Sequence, residues 1–489
     1  MAAMVMQILD TTIANVAIPH MQTSLGATQD TVTWVLTSYI IAAAIATPVT
    51  GWLAERFGSR NLFLFAVGGF IIASMLCGIA TSLEEMVFFR MFQGVCGAFI
   101  GPLSQTVMLD INPPEKQGSA MSIWGMGVMV GPIMGPVIGG FLTESYNWRW
   151  CFYVNLPIGL LTFAILWFLL PSRPVSDRKF DYFGFGMLAV ALAAFQLLLD
   201  RGQQEDWFQS SEILIEAGIC IAAAWMAIVH LATAEKPLFD RHLFQNRNFV
   251  VCLFFMLLVG MTTMAPMALL PPMLQQLFGY PVIDTGMVLA PRGVGVLITM
   301  AIGGRLRGKV DFRYLICLGS IICAYSLWDM SHWSLAIDWH YVVTAGFIQG
   351  LGMGLVFMPL NAMAFATLDQ KWRTDGASLM NLLRSIGSSA GISVCTFLLA
   401  RNIQINHQEL GENITNHTLP YLDPSQAPKY GDIGSAALSV VDGMINQQGA
   451  MISYLDDFYL MAIITIIMAP FVFLLKNPKG PVEVVHVGE

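Results

Sequence analysis

The stretch "GVMVGPIMGPVIGG", residues 127–140, decides how the chain is read. It packs five glycines and two prolines into an apolar run of about two dozen residues. In a soluble helix interior each glycine costs about 1 kcal/mol and each proline about 3 kcal/mol. A lipid-embedded helix tolerates both, because neighbouring helices and local 3₁₀ adjustments re-satisfy the freed backbone groups. Gly127, Gly131, Gly135 and Gly139 recur every four residues and form a continuous ridge. Small-residue ridges let helix backbones approach closely. Pro132 and Pro136 each remove a ladder hydrogen bond and predict a bend.

The rest of the composition agrees. Of 489 residues, 56% are hydrophobic and 11% charged, with mean hydropathy +0.64. A soluble domain carries about 25% charged residues, so lipid must solvate this chain. The net charge of -8 comes with no basic tract, which argues against nucleic acid as a partner. Eight cysteines sit in or beside apolar runs, at no spacing that suggests zinc or iron–sulfur ligation. No glycine loop opens a helix to cradle phosphate, and no nucleophile–base pattern stands out. The expectation is a membrane protein with no metal or cofactor, and not an enzyme.

A span needs about 20 apolar residues. Fourteen such stretches follow one another: 1–19, 32–52, 62–80, 84–108, 119–142, 151–170, 182–199, 212–232, 249–276, 285–304, 313–329, 341–366, 376–399 and 453–475. With a cytoplasmic N-terminus, 17 of the 24 Lys and Arg residues fall on the inner side. Only Arg149, Arg201, Arg401 and Lys429 fall outside, and Arg90, Arg292 and Arg384 lie within spans. The positive-inside rule supports this topology and places both termini in the cytoplasm.

The chain also repeats itself. "FQGVCGAFIGP" (92–102) resembles "IQGLGMGLVFMP" (348–359), which puts Gln93–Gly94 and Gln349–Gly350 256 residues apart. At the same offset Gly131 and Gly135 match Gly387 and Gly391. The expected architecture is all-α, with two six-helix bundles and a two-helix insert. The boundaries are 1–170 for the first bundle, 171–247 for the insert with its linkers, and 248–489 for the second bundle. The last includes a long polar outer loop, 400–452, which suits a cap, an adaptor contact or a plain connector. Parallel halves related by an axis along the membrane normal are a transporter design.

Ionisable groups at bilayer depth are functional candidates by default. Asp10 lies in the first span, and with Thr11 and Asn15 it makes a polar arc. A carboxylate held between burial and a nearby cation can trade a proton. Arg90, Gln93, Gly94, Gly97, Gly101, Ser104 and Gln105 share one face of the fourth span. Arginine does not deprotonate, so Arg90 serves as a fixed counter-charge. Its repeat position, 346, is glycine, so the charges belong to the first half. Arg384 shares a face with Asn381, Ser385 and Ser388, and either binds an anionic group or holds packing. Asn15, Gln93, Gln105, Asn381 and Arg384 are the candidates for a substrate cavity. The span-five ridge suits sealing against, or sliding past, the other half.

Several motifs resemble one family. "GWLAERFGSR" (51–60) is similar to the inner-loop motif of the major facilitator superfamily. "RMFQGVCGA" (90–98) resembles that superfamily's fourth-helix motif, and "GPIMGPVIGG" (131–140) its antiporter motif. "LDTTIANVAIP", "WRWCFYVNLPIG" and "LLDRGQQEDWF" resemble the fourteen-span drug:proton antiporters of the EmrB-type branch. The resemblance implies proton-driven multidrug export, with Asp10 and Arg90 in proton coupling. It implies an inner gate of Gly51, Glu55, Arg56, Gly58 and Arg60. It also implies an inner-membrane pump with a periplasmic adaptor and an outer-membrane channel as partners. An exporter of one specific metabolite or siderophore on the same fold is the alternative.

Overall fold

In the computed structural model, fourteen long helical segments succeed one another among the described residues. The structure describes residues 1–113, 116–171, 175, 178–202, 204–205, 207–306, 310–366, 368–412 and 432–476. The first six are α1 (Ala2–Ser24), α2 (Trp34–Phe57, with a 3₁₀ turn at Thr47–Val49), α3 (Ser59–Ile79), α4 (Leu83–Asp110), α5 (Gln117–Ser145) and α6 (Trp150–Leu169). Two follow in the middle, α7 (Tyr182–Arg201) and α8 (Ser211–Thr233). The last six are α9 (Arg247–Gln276), α10 (Val282–Leu306), α11 (Phe312–Met330), α12 (Trp339–Ala366), α13 (Arg373–Glu412) and α14 (Asp432–Met468). A 3₁₀ segment, Ala469–Leu474, continues α14.

Local sequence explains where the helices start. Ser82, Asp181, Ser210, Asn246 and Asp311 each accept a hydrogen bond from a first-turn backbone N–H, capping α4, α7, α8, α9 and α11. Such caps are worth about 1 kcal/mol each. Twelve of the helices are long and apolar enough to cross a membrane, and α5 and α11 are the other two long ones. All fourteen fall on the apolar stretches read from the sequence.

The packing obeys the internal repeat. In the first set α1 packs on α5, and α4 lies between α2 and α3. In the last set α9 packs on α13, and α12 lies between α10 and α11. The middle pair pack on each other, and α7 rests on α2 and α13. Only Ile213 and Ala223 of α8 are buried, so this helix shows apolar surface nearly all round. That is the pattern of a helix bathed in lipid.

Residues 400–452 depart from the expected polar loop. Helix α13 continues to Glu412 and α14 begins at Asp432, with 413–431 outside the described residues. The 40 residues of α13 make a rod of about 60 Å, against a hydrocarbon core of about 30 Å. The polar part is therefore a pair of helices running past the apolar band. His407 Nε2 lies 2.9 Å from Asp442 Oδ1, and Asn406 donates to Ser453 Oγ at 3.0 Å. Gln447 donates to the Leu277 carbonyl at 3.1 Å, which ties the pair to the end of α9.

Candidate functional site

Four helices converge on Asp10. Arg90 Nη1 on α4 donates to Asp10 Oδ2 at 2.9 Å. Gln93 Nε2 donates to Asp10 Oδ1 at 2.9 Å, and Asn155 Nδ2 on α6 donates to the same oxygen at 2.6 Å. Arg90 also donates to Gln93 Oε1 at 2.7 Å and, through Nε, to the Val35 carbonyl of α2 at 3.0 Å. Its guanidinium lies 4.4 Å from the centre of the Tyr39 ring. Asp10 is 1% exposed, and Arg90, Gln93 and Asn155 are fully buried. Ser74 of α3 closes the outer layer, accepting from Asn155 at 2.9 Å.

Two charges at this depth are tolerable only as a pair. Removing one partner of a buried pair costs about 3–5 kcal/mol, because the other charge is left uncompensated. Protonating Asp10 has that effect on Arg90. Proton binding is thus energetically tied to any movement that gives Arg90 water or another partner. Gln93 sits ten residues from the start of α4 and seventeen from its end. At 1.5 Å per residue the pair lies about 15 Å from the Leu83 end and about 25 Å from the Asp110 end.

The Asp110 end carries the basic loops, and here the two sets of helices meet. Arg178, on the linker before α7, donates to Asp375 Oδ2 of α13 at 2.9 Å and to Glu55 Oε2 of α2 at 3.4 Å. It also donates to the Leu238 carbonyl on the linker after α8. Trp52 Nε1 donates to the Arg178 carbonyl at 2.9 Å. Burial pulls the Arg178 pKa down, but Asp375 and Glu55 outweigh it and hold the guanidinium above its ordinary value. Gly51 lies against Asp375, and a Cβ there would collide with the carboxylate. Gly58 turns the chain between α2 and α3 with φ +85°. Arg56 is exposed. Arg60 lies apart from this junction: it donates to the Trp167 carbonyl at 2.5 Å and stacks on that ring, within its own set.

More polar bonds cross at the same end. Gln105 of α4 donates to Asn361 of α12 at 2.8 Å and accepts from Asn381 of α13 at 3.2 Å. Arg373 pairs with Asp110 at 3.5 Å. So Gln105 and Asn381 bridge the two sets, and Gln93 belongs to the Asp10 cluster. Arg384 donates only to Asn381 Oδ1, at 3.4 Å, among the described residues. Asn15 is exposed and stands outside the cluster. Thr11 bonds back to the Gln7 carbonyl.

The span-five ridge faces differently from the expectation. Added Cβ atoms at Gly131 and Gly135 would strike Ile8 and Thr12, and at Gly139 would press on Ile13. The ridge therefore lies on α1 of its own set, and Thr12 donates to the Gly131 carbonyl at 3.2 Å. Gly127 faces Met1 in the same row. The other face of α5 meets the second set, with Gly125 beside Met300 and Gly140 beside Ile283. The Pro132 and Pro136 side chains lie outside the described residues.

Sequence reasoning missed Asn155, Ser74, Tyr39, Arg178 and Asp375. Asn155 stands within the quoted motif "WRWCFYVNLPIG", which was its signal. Arg178 and Asp375 are 197 residues apart and had none.

The comparisons agree with this geometry. A family profile described as Major Facilitator Superfamily matches residues 1–392. The chain belongs to the major facilitator superfamily. Among superfamily members it is 34% identical over 483 residues to the "Multidrug export protein EmrB" of Haemophilus influenzae, covering 97% of this chain and 94% of that one. It is equally 34% identical, over 482 residues, to the "Fatty acid resistance protein FarB" of Neisseria gonorrhoeae, with the same 97% and 94% coverage. A crystal structure of a double-tryptophan XylE mutant superposes with TM-score 0.62 at 13% identity, covering 98% of this chain and 96% of that one. The protein is thus a multi-span membrane protein with the fold of a superfamily transporter.

Proposed function

We propose that this protein is a proton-coupled antiporter that exports hydrophobic drugs or toxic compounds across the inner membrane by alternating access. The observation that carries the reading is the buried Asp10–Arg90 pair, the kind of site in which binding a proton changes the balance between conformations. The names of the EmrB relatives support the drug-export part. The distribution of Lys and Arg supports a cytoplasmic location for both termini and the basic end.

On that orientation the bonds across the basic end close the cytoplasmic side. Asp10 takes a proton from outside. Its hold on Arg90 weakens and the drug leaves. The two six-helix bundles then rock, the Arg178 junction parts, and the proton leaves to the cytoplasm as a drug enters. The proton gradient supplies the drive, with no cofactor. One charge crossing 100 mV supplies about 2.3 kcal/mol, which sustains roughly a 40-fold gradient of a neutral drug. The helical pair beyond the apolar band is the natural contact for a periplasmic adaptor leading to an outer-membrane channel.

The test is drug-evoked proton release from purified protein in detergent, wild type against Asp10→Asn. Release in the wild type that is lost in the variant supports antiport through Asp10. Equal release in both moves the proton site elsewhere.

A further inference from the structure

The second set of helices has no counterpart of the Asp10–Arg90 pair. Gly131 and Gly135 lie on Ile8 and Thr12, while their repeat partners Gly387 and Gly391 lie on Leu257 and Met261. That register makes Val259 the counterpart of Asp10, and Gly346 stands in the place of Arg90. The set nevertheless buries a carboxylate elsewhere. Asp457 of α14 is 1% exposed, and its Oδ2 has no hydrogen-bond partner among the described residues. It lies four residues inside the apolar stretch 453–475, or about 6 Å from its start. On the topology proposed above, that start faces outside. No cation answers this carboxylate among the described residues. The titratable groups that face it are Asp456, exposed on the same helix, Tyr454, one turn back, and Cys395 on α13. Helix α9 has no charged residue beyond Arg247, and the nearby residues of α11, Leu327 and Met330, are apolar. Trp333, past the end of α11, is 5% exposed; its ring lies 6.3 Å from that of Phe458, and its Nε1 also lacks a partner. The surroundings are thus apolar, neutral or acidic. Burying an ionised carboxylate without a counter-charge costs so much that the group takes a proton instead. Asp10 differs, because Arg90 offsets its charge.

We infer that Asp457 is a second proton-binding site, filled in this conformation and emptied to the outside when the outer end of the second set rearranges. The proton passes from outside water onto the Asp457 carboxylate and returns the same way, so no second proton crosses the membrane. The link to the rest of the molecule is α13. Asp375, near its start, holds Arg178, and Cys395, twenty residues further along the same helix, faces Asp457. That is about 30 Å of one rod. A tilt that parts Asp375 from Arg178 shifts Cys395 against α14 and admits water to Asp457. A proton that binds one conformation better favours that conformation by the same factor. Acid outside therefore favours the conformation closed at the basic end, by up to about tenfold per pH unit. The inference goes beyond the antiport reading and takes from it only which side is outside.

Infrared spectroscopy of the full-length protein in detergent tests this. At about pH 7 ordinary carboxylates are ionised, so a carboxylic-acid C=O band marks a buried neutral acid. The wild type should show such a band that Asp457→Asn removes and Asp10→Asn leaves. Should Asp457→Asn fail to fold, Asp457→Glu should keep the band at a shifted frequency. Arg178→Ala loosens the basic end. It should move the titration midpoint of the Asp457-dependent band to lower pH, by up to about one unit for a tenfold shift in conformation. A band indifferent to both Asp457 variants overturns the proton site. A midpoint unmoved by Arg178→Ala makes Asp457 a purely structural acid and overturns the inference as well. Neither readout involves a drug, so failure of the Asp10→Asn release test would strike the antiport reading alone.

Discussion

The two six-helix sets share a backbone plan and differ in what fills it. Gly131 and Gly135 bring α5 onto α1, and Gly387 and Gly391 bring α13 onto α9. At the matching depth one set holds Asp10, Arg90 and Gln93 in mutual contact, and the other holds Val259, Gly346 and Gln349. Close helix approach is a demand of the fold, so the glycines recur in both. The close approach does not need the charges, and they occur once. A repeat can therefore keep its scaffold while only one copy carries the buried ion pair.

The largest effect should come from Asp10→Asn. The variant keeps the hydrogen bonds' shape but not the exchangeable charge. In vesicles at 100 mV the neutral-drug gradient should collapse by roughly 40-fold, to equilibrium. Survival of the gradient would break the claim that the first set alone carries the coupling.

The next effect sharpens the structural side of the comparison. An alanine Cβ at Gly387 would collide with the Leu257 backbone, whereas at Gly139 it meets Ile13 at 3.3 Å. Overpacking costs about 1–3 kcal/mol, and a full overlap with a backbone carbonyl needs a far larger shift than a 3.3 Å contact does. Gly387→Ala should lower the thermal midpoint clearly and Gly139→Ala little. A reversed order would show that α13 does not lie as close to α9 at Gly387 as the structure has it.

Arg178→Ala should loosen the basic end. It leaves Asp375, 2% exposed, without its cation. Hydrogen exchange across residues 373–380 should rise roughly tenfold, which corresponds to about 1.4 kcal/mol. Unchanged exchange would move the closure to the Gln105–Asn361–Asn381 bridge. The smallest effect belongs to Arg60→Ala. Arg60 stacks 5.9 Å from the Trp167 ring in a partly exposed place, so the loss should stay below about 1 kcal/mol. A large loss of transport there would return Arg60 to the gate.

The sequence and the structure part company for identifiable reasons. Apolar run length reports contact with lipid, so the fourteen stretches and the place of each helix were legible. It does not report helicity. Residues 400–412 and 439–452 are helical yet polar, because that part of α13 and α14 runs past the apolar band. Spacing along one helix put Arg90 and Gln93 on one face, and depth singled out Asp10. Spacing cannot join Asn155 to Asp10 across 145 residues, nor Arg178 to Asp375 across 197. The ridge of α5 was legible as a close contact, but period alone does not name the neighbour. That neighbour turned out to be α1.

The paired helices beyond the apolar band act as a mechanical arm. From Gly387, where α13 touches α9, the helix runs 25 residues to Glu412, or about 37 Å. A tilt of the second set by ~10° about that contact would sweep the tip sideways by roughly 6 Å. A small rocking of one set against the other would thus arrive at the tip as a displacement about the width of a side chain. Whatever rests on that tip is moved once per transport cycle, without any signal passing through the membrane but the rigidity of a helix.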